Sequence, residues 1–468
     1  MGRVAMKEWR RQLSTACLAV ALAFSCVMPT ATPSFAQSAG QRRLPVVRDA
    51  EIESLVRDYA SPILKAAGLS PSRVEIVLVN DLNFNAFVAG RRIFINTGTL
   101  LDSETPNETI GVIAHEVGHL AGGHQERLRD QIARAQTIAV VAGLIGAGVA
   151  AAGAASGSGA VAGLGSGLMT SGSGIAQRGL FSYQRTEETT ADRSALTYLQ
   201  KTNQSPKGLL DSFEGLMRKN MLAGISRDTY LSSHPAPQDR IGFLQTAAHE
   251  SPFFDKKDSP DLQLRHDFAR AKIAAYNGGA AQVRRSFGRQ LHSLPALYGD
   301  AIATHLAGSP KAALDKIDAL IVKQPNNPWF HEFRGEILMT AGRANEAEAA
   351  FSKAAKLDPW KSGLIQASIG QAIVTGGRPE KMKDAVAQIQ RGLEADPGNS
   401  SAYRFLAMAY GKLGQIGDAE LATAEGYWEA GNFKDAKVFA ARAQQKFRPN
   451  SPQWRRAQDI LVTKVKRP

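Results

Sequence analysis

The chain has 468 residues, enough for two domains of ordinary size, with 44% hydrophobic side chains and a formal net charge of +13. The basic excess is scattered in pairs such as Arg42-Arg43, Arg91-Arg92, Arg284-Arg285 and Arg455-Arg456. No nucleic-acid-binding motif accompanies it, so nucleic acid is excluded as a partner, and a solvated surface is expected ahead of an acidic membrane surface or an acidic partner. Both cysteines, Cys17 and Cys26, lie close to the N-terminus, which excludes a disulfide-stapled scaffold.

Residues 1–36 read as a secretory signal peptide. Arg3, Lys7, Arg10 and Arg11 stand against one acid, Glu8, ahead of an apolar run from Ala16 to Met28. Pro29 and Pro33 follow, then Ser34-Phe35-Ala36 before Gln37, so cleavage is expected after Ala36. Four basic residues and one acidic residue leave with it, and the net charge falls from +13 to +10. A lipoprotein reading through Cys26 lacks the usual leucine in Ala23-Phe24-Ser25.

Residues 37–250 hold the chemistry. Strands are expected over Val74–Val79 and Arg92–Asn96, with helices elsewhere. Thr105-Pro106-Asn107-Glu108 is a capping box with proline at the first helical position, so a helix starts there. Ile110, Ile113 and Val117 recur at helical spacing and bury one face. His115-Glu116-Val117-Gly118-His119 occupies the adjoining stripe. Histidines four residues apart project from one face about 6 Å apart, close enough to grip one metal ion. The glutamate beside the first can take a proton from water at that ion. This H-E-x-x-H pattern spells zinc hydrolase chemistry, with one Zn2+ per chain. Two core histidines on an amphipathic helix are the alternative, against which the helix start and the intervening Glu both speak.

Candidates for a third ligand follow. His124 falls one residue short of the metzincin spacing, a place held by Gln125, and reads as a helix-end or supporting residue. From Ala135 to Gln177 there is no charged residue. Ile138–Ala155 has the length of a transmembrane helix, yet its four glycines and eight alanines make it weakly apolar. Ser156-Gly157-Ser158-Gly159 makes a flexible tip. Arg185 to Arg193 opens another helical stretch in which Glu188 and Asp192 share a face. A carboxylate ligand beside a carboxylate that orients a ligating histidine suits a His2Glu site, against the reading of a charged helix start. In Leu231-Ser232-Ser233-His234-Pro235-Ala236-Pro237, two prolines keep the backbone out of a helix and display His234. His234 can fill the open metal position as a removable plug, or bond a substrate carbonyl, or position Arg240; all three stay open.

The run from His115 to His124, then Glu188-x-x-x-Asp192 and Ser233-His234-Pro235 to Arg240, with Asn85-Ala86-Phe87-Val88 and Thr97-Gly98 upstream, resembles the M48 family of metallopeptidases over roughly residues 45 to 250. The resemblance implies zinc ligands at His115, His119 and Glu188 and a general base at Glu116. Asp192 matches the family's helix aspartate, which supports a ligand and is also proposed as a proton donor. A polypeptide substrate would lie along the strand at Asn85, Ala86, Phe87 and Val88. Some members carry membrane helices where residues 138–175 lie, whereas soluble ones carry a helix and a mobile loop over the active site. The second arrangement is expected here, with membrane contact through 138–175 as the other reading.

Ser251–Gln263, with two prolines and mixed charges, reads as a linker. Residues 264–468 are repetitive. Pro325 and Pro359 are 34 residues apart, as are Ala313 and Ala347, and Gly335, Ala347, Phe351 and Ala354 occupy the small and aromatic positions of a tetratricopeptide repeat. A third unit ends at Asp396-Pro397, lengthened at Gly376-Gly377-Arg378-Pro379. Leu406, Tyr410 and Ala419 suit a fourth, and Ala436 begins a degenerate fifth. The expected fold is α+β, mainly α: a zincin-like domain with a small sheet, followed by an all-α solenoid. Such arrays bind peptides or proteins on a concave face. The layout is similar to family members of the bacterial envelope, which implies a periplasmic protease acting on polypeptides. It also implies that the repeats engage the outer-membrane barrel-assembly machinery. A chaperone or scaffold with a mostly silent zinc site is the alternative.

Overall fold

A two-residue strand (β1, Val46–Val47) leads to Asp49, whose carboxylate accepts from Ile52 N at 2.9 Å and caps a helix (α1, Ala50–Ala66). Ile52, Leu55, Val56, Tyr59 and Ile63 of that helix are buried at helical spacing. Three more strands follow, β2 (Glu75–Val79), β3 (Ala86–Ala89) and β4 (Arg92–Asn96), in the sheet order β1-β2-β4-β3. β2 and β4 run parallel, with Ile76 opposite Ile93 and Leu78 opposite Ile95, while β3 folds back antiparallel on β4. Among the described residues nothing pairs with the outer side of β3, which is therefore a sheet edge. The computed structural model describes residues 44–156, 158–223, 234 and 237–464. The signal segment with its Ala36 cleavage point, and most of the loop around His234, lie outside the described residues.

A short helix (α2, Thr97–Asp102) precedes the long one carrying the H-E-x-x-H motif (α3, Pro106–Gly122). The capping box is formed in both directions, Thr105 N donating to Glu108 Oε1 at 3.1 Å. Gly123 ends the helix in the left-handed region at φ 64°, its N–H donating to His119 O and Leu120 O. The chain then re-enters a helix at once (α4, His124–Ala155), turns, and returns as α5 (Gly159–Lys201).

Two expectations change here. Residues 138–175 are helical on both sides of a short turn instead of forming a mobile loop, because alanine supplies helix propensity that the interspersed glycines do not cancel. Glu188 and Asp192 also lie well inside α5 instead of near a helix start. Thr186, Thr189 and Thr190 donate their hydroxyls to carbonyls four residues back, at 3.0, 3.0 and 2.8 Å, so the threonine run continues the helix. Helices α6 (Lys207–Ala223) and α7 (Pro237–His249) close the first half.

The second half is helical throughout. α8 (Pro260–Phe287), kinked at Gly278–Gly279, is followed by five helix pairs. These are α9 (Leu294–Leu306) with α10 (Pro310–Lys323), α11 (Pro328–Thr340) with α12 (Ala344–Leu357) and α13 (Gly363–Gly376) with α14 (Met382–Ala395). α15 (Ser400–Lys412) with α16 (Ile416–Glu429) and α17 (Phe433–Gln444) with α18 (Pro452–Val462) complete the array. α9 and α11 start 34 residues apart, as do α10 and α12, and the lengthened third unit holds its insertion as a 3-10 turn at Pro379–Lys381.

Residues 45–465 form one compact body. The segment between the halves is packed: Ser205 Oγ donates to Phe254 O at 2.5 Å and Asn107 N donates to Asp258 at 2.9 Å. α8 places Ala269 and Ile273 in the core that includes α1 and α3, and Phe268, Ala271 and Ala275 in the core of the array.

Candidate metal centre

His115 and His119 leave α3 one turn apart, and their Nε2 atoms converge to 3.1 Å. Across from them α5 presents Glu188, with Oε2 3.4 Å from His115 Nε2 and Oε1 3.4 Å from His119 Nε2. The approach of the two helices depends on Gly118, the fourth residue of the motif. A Cβ there would stand 2.8 Å from Ala191 O on α5, and backbone cannot yield as a flexible side chain would.

A tetrahedral ion bound by nitrogen and oxygen at zinc-like lengths has donor–donor edges of about 3.3 Å. The three measured edges match that figure. His115, His119, Glu188 and His234 together form a buried group whose donor atoms all lie within 4.8 Å of one another. Three carboxylates, Glu116, Glu188 and Asp192, surround the pocket against one guanidinium, that of Arg240. A divalent cation restores the balance.

The imidazole of His115 is fixed from behind. Its Nδ1 lies 2.9 Å from Asp192 Oδ1, and Arg240 donates to both Asp192 oxygens at 2.7 Å and reaches Glu188 Oε2 at 2.7 Å. The Arg240 guanidinium in turn covers the Phe213 ring at 4.7 Å. Burial opposes ionisation of Asp192, but the Arg240 and His115 contacts prevail and hold its carboxyl below the ordinary value. Glu188 is held well below the carboxylate range: burial pushes it up, and His234, His115 and His119 outweigh burial. His115 shows the complementary effect, since burial lowers it but bonding to Asp192 and Glu188 raises it to about 9. Asp192, expected as a possible proton donor, is 0% exposed, with both oxygens accepting from Arg240.

His119 is held by a chain not visible in the motif. Its Nδ1 lies 2.9 Å from His124 Nδ1, and His124 Nε2 lies 2.8 Å from Glu187, which also accepts from Arg127 at 2.8 Å. His124 is thus a support for a donor histidine, and the signal for it was its place one residue beyond the Gly123 cap. The role of Glu187 had no such signal, because adjacent glutamates on a helix point in different directions.

The outer wall of the cleft is the edge strand. Asn85 sits just before β3, its N–H donating to Thr99 Oγ1 at 2.9 Å, and its O accepts from Asn96 N at 2.9 Å. Ala86, Phe87 and Val88 belong to β3, and Phe87 stacks on Phe94 with ring centres 4.8 Å apart. His234 fills the space between wall and metal group: Nδ1 lies 3.1 Å from both Glu188 oxygens, and Nε2 lies 3.4 Å from Ala86 O and 3.5 Å from Glu116 Oε1. Glu116 is 1% exposed, and no hydrogen-bond partner for its Oε1 is found among the described residues. Phe87, Val88, Gln125, Leu128 and Tyr183 line the open part of the cleft beside it.

Residues 47–248 match the family model for Peptidase family M48. The β-barrel assembly-enhancing protease of Escherichia coli (strain K12) is 22% identical over 420 residues, covering 88% of this chain and 82% of its own length. A putative β-barrel assembly-enhancing protease of Vibrio cholerae is 25% identical over 414 residues, covering 86% and 81%. Among solved structures, "Crystal structure of MamA" is 19% identical and covers 34% of this chain and 90% of that one, at a TM-score of 0.28. The family match spans the strands, the two donor-bearing helices and the Arg240 helix described above, so residues 47–248 are similar to the metallopeptidase domains of peptidase family M48.

Proposed function

We propose that the chain is a zinc-dependent endopeptidase of the bacterial periplasm. It would act on unfolded or stalled envelope proteins, those of the outer membrane above all. One observation carries the reading: three donors from two helices stand at tetrahedral spacing beside Glu116, whose Oε1 has no hydrogen-bond partner among the described residues. His115, His119 and Glu188 would hold the ion, and Glu116 would be the general base. When bound, zinc supplies Lewis acidity to a peptide carbonyl and acidifies water at the site. Glu116 takes the proton from the attacking water and returns it to the departing amide nitrogen, so the C–N bond breaks and the proton count closes. Asp192 and Arg240 keep His115 Nε2 aimed forward, a positioning role and not a proton-donating one.

The substrate would extend along the free edge of β3, paired through its backbone, which leaves side-chain choice loose. The tetratricopeptide array would recruit substrates or the outer-membrane barrel-assembly machinery. The relatives that carry "β-barrel assembly-enhancing" in their names support that role. Metal analysis of purified protein tests the centre: one zinc per chain, lost in His115→Ala, His119→Ala and Glu188→Ala. Full zinc in Glu188→Ala together with loss in Glu187→Ala would shift the third ligand by one residue.

His234 rests on the base, on the third ligand and on the carbonyl of the substrate strand at once, which favours the plug over the assisting role. An incoming peptide must displace it. His234→Ala is expected to raise peptidase activity several-fold, with self-cleavage, at nearly unchanged zinc content. A clear fall in activity would mean that the imidazole serves the reaction, and the plug would be abandoned.

A further inference from the structure

The hairpin of α4 and α5 is built inside out for a protein in water. Among the described residues of α4, Gly146 and Gly153 are the buried ones beyond its first turn, seven apart and so on one face, with Ala139, Ala142, Val149 and Ala150 half-buried around the same seam. The large apolar side chains point the other way. Ile138, Val140, Val141, Leu144 and Ile145 are 48–61% exposed, and Leu164 on the returning helix is 67% exposed. At about 100° per residue they cover roughly half the helix circumference. No charged side chain compensates them, since the sequence has none between Arg134 and Arg178. A soluble helical hairpin buries its large residues and exposes small or polar ones; a hairpin in lipid does the reverse, because tails solvate leucine while close backbone approach supplies the packing.

Length and charge name the partner. Ala135 to Ala155 rises about 31 Å at ~1.5 Å per residue, against a bilayer hydrocarbon core of ~30 Å. Among the described residues α4 is long and apolar enough to cross a membrane, and only 11% of its apolar window is buried. At its base Arg129 and Arg134 on α4 and Arg185 on α5 are exposed, placed to meet acidic lipid headgroups where the apolar stretch begins. We propose that the α4–α5 hairpin inserts into a lipid bilayer, with the arginines at headgroup level and the Ser156–Ser158 turn leading. The metal centre, at the arginine end of the same two helices, is thereby held just outside the membrane. This inference does not rest on the peptidase reading.

Vesicle flotation tests it. The compact body begins at Pro45, so a chain starting at Gln37 retains that body and lacks the apolar N-terminal segment. With vesicles of phosphatidylethanolamine and phosphatidylglycerol it is expected to float, and to stay bound in 1 M salt. Leu144→Asp with Ile145→Asp should lower the bound fraction at least tenfold. Thermal melting and metal content should not change, because both side chains are exposed. A probe attached at Ala151→Cys should be quenched by lipids brominated deep in the acyl chain. The proposal is overturned if the parent chain fails to float, if salt strips it completely, or if the double variant binds as well as the parent. It is also overturned if the same variant only converts a dimer to a monomer, which would assign the apolar face to a second copy of the chain.

Discussion

Glu116→Gln is expected to bind zinc as the unchanged protein does and to lose proteolysis by about a thousandfold. The substitution keeps the size of the side chain, and Glu116 is not among the four residues whose donor atoms converge. What it removes is the group that accepts a proton. Glu116 is 1% exposed, so bulk water offers no substitute base from that direction. Zinc content, casein cleavage and cellular complementation should be measured on one preparation. Lost cleavage with retained zinc and lost complementation supports an enzyme. Full complementation by a protein that cleaves nothing would favour the scaffold reading, in which the array does the main work. The same variant should retain substrates it can no longer cut, and their identity would test whether they are outer-membrane proteins.

Local signals carried far in this chain, and long-range pairings did not. The start of α3 was legible because a capping box and a proline act within four residues. β4 was legible to its ends because Arg92–Asn96 is a short apolar run after a glycine turn. The 34-residue repeat was legible because each unit restates its small and aromatic positions. By contrast, Val46–Val47 is a strand only because β2 accepts it 31 and 33 residues downstream, at Leu78 and Val79. The Asp192–Arg240 pair joins residues 48 apart, and nothing near either one announces the other. Residues 138–175 misled because glycine lowers helix propensity, whereas the alanines between carry the helix through and Gly146 and Gly153 are buried in it. The packed state of 251–263 was hidden for another reason. α8 is apolar on two faces, and the sequence does not say that each face serves a different core.

That double service sets the second large effect. A chain ending at Ser251 contains every donor, yet it is expected to lose cooperative folding and with it the metal. The cut removes Ala269 and Ile273 from the core under α1 and α3, and loss of one buried isoleucine side chain alone costs about 2–5 kcal/mol. It also removes His266, 0% exposed, whose Nε2 donates to Ser103 O at 2.9 Å and whose Nδ1 accepts from Tyr59 OH at 2.9 Å. The tautomer follows from the carbonyl, which can only accept. Each partner left buried and unpaired costs about 1–3 kcal/mol more. Lys272 leaves as well, and with it the cation 2.6 Å from Asp49 and 3.4 Å from Glu51 at the start of α1. Against a total stability of about 5–15 kcal/mol these losses exceed what the remainder can absorb. A chain ending at Gly308 keeps α8 with α9 packed on its other face, and should melt cooperatively, bind zinc and cleave casein. Circular dichroism melting of the two truncations decides the matter. If the Ser251 form melts as sharply as the Gly308 form and still cleaves casein, α8 belongs to the array alone. If only the longer form folds, the first helix of the array is structurally part of the peptidase. Movement of the array on binding a partner would then be transmitted through Lys272 and His266 to α1, which packs directly against α3.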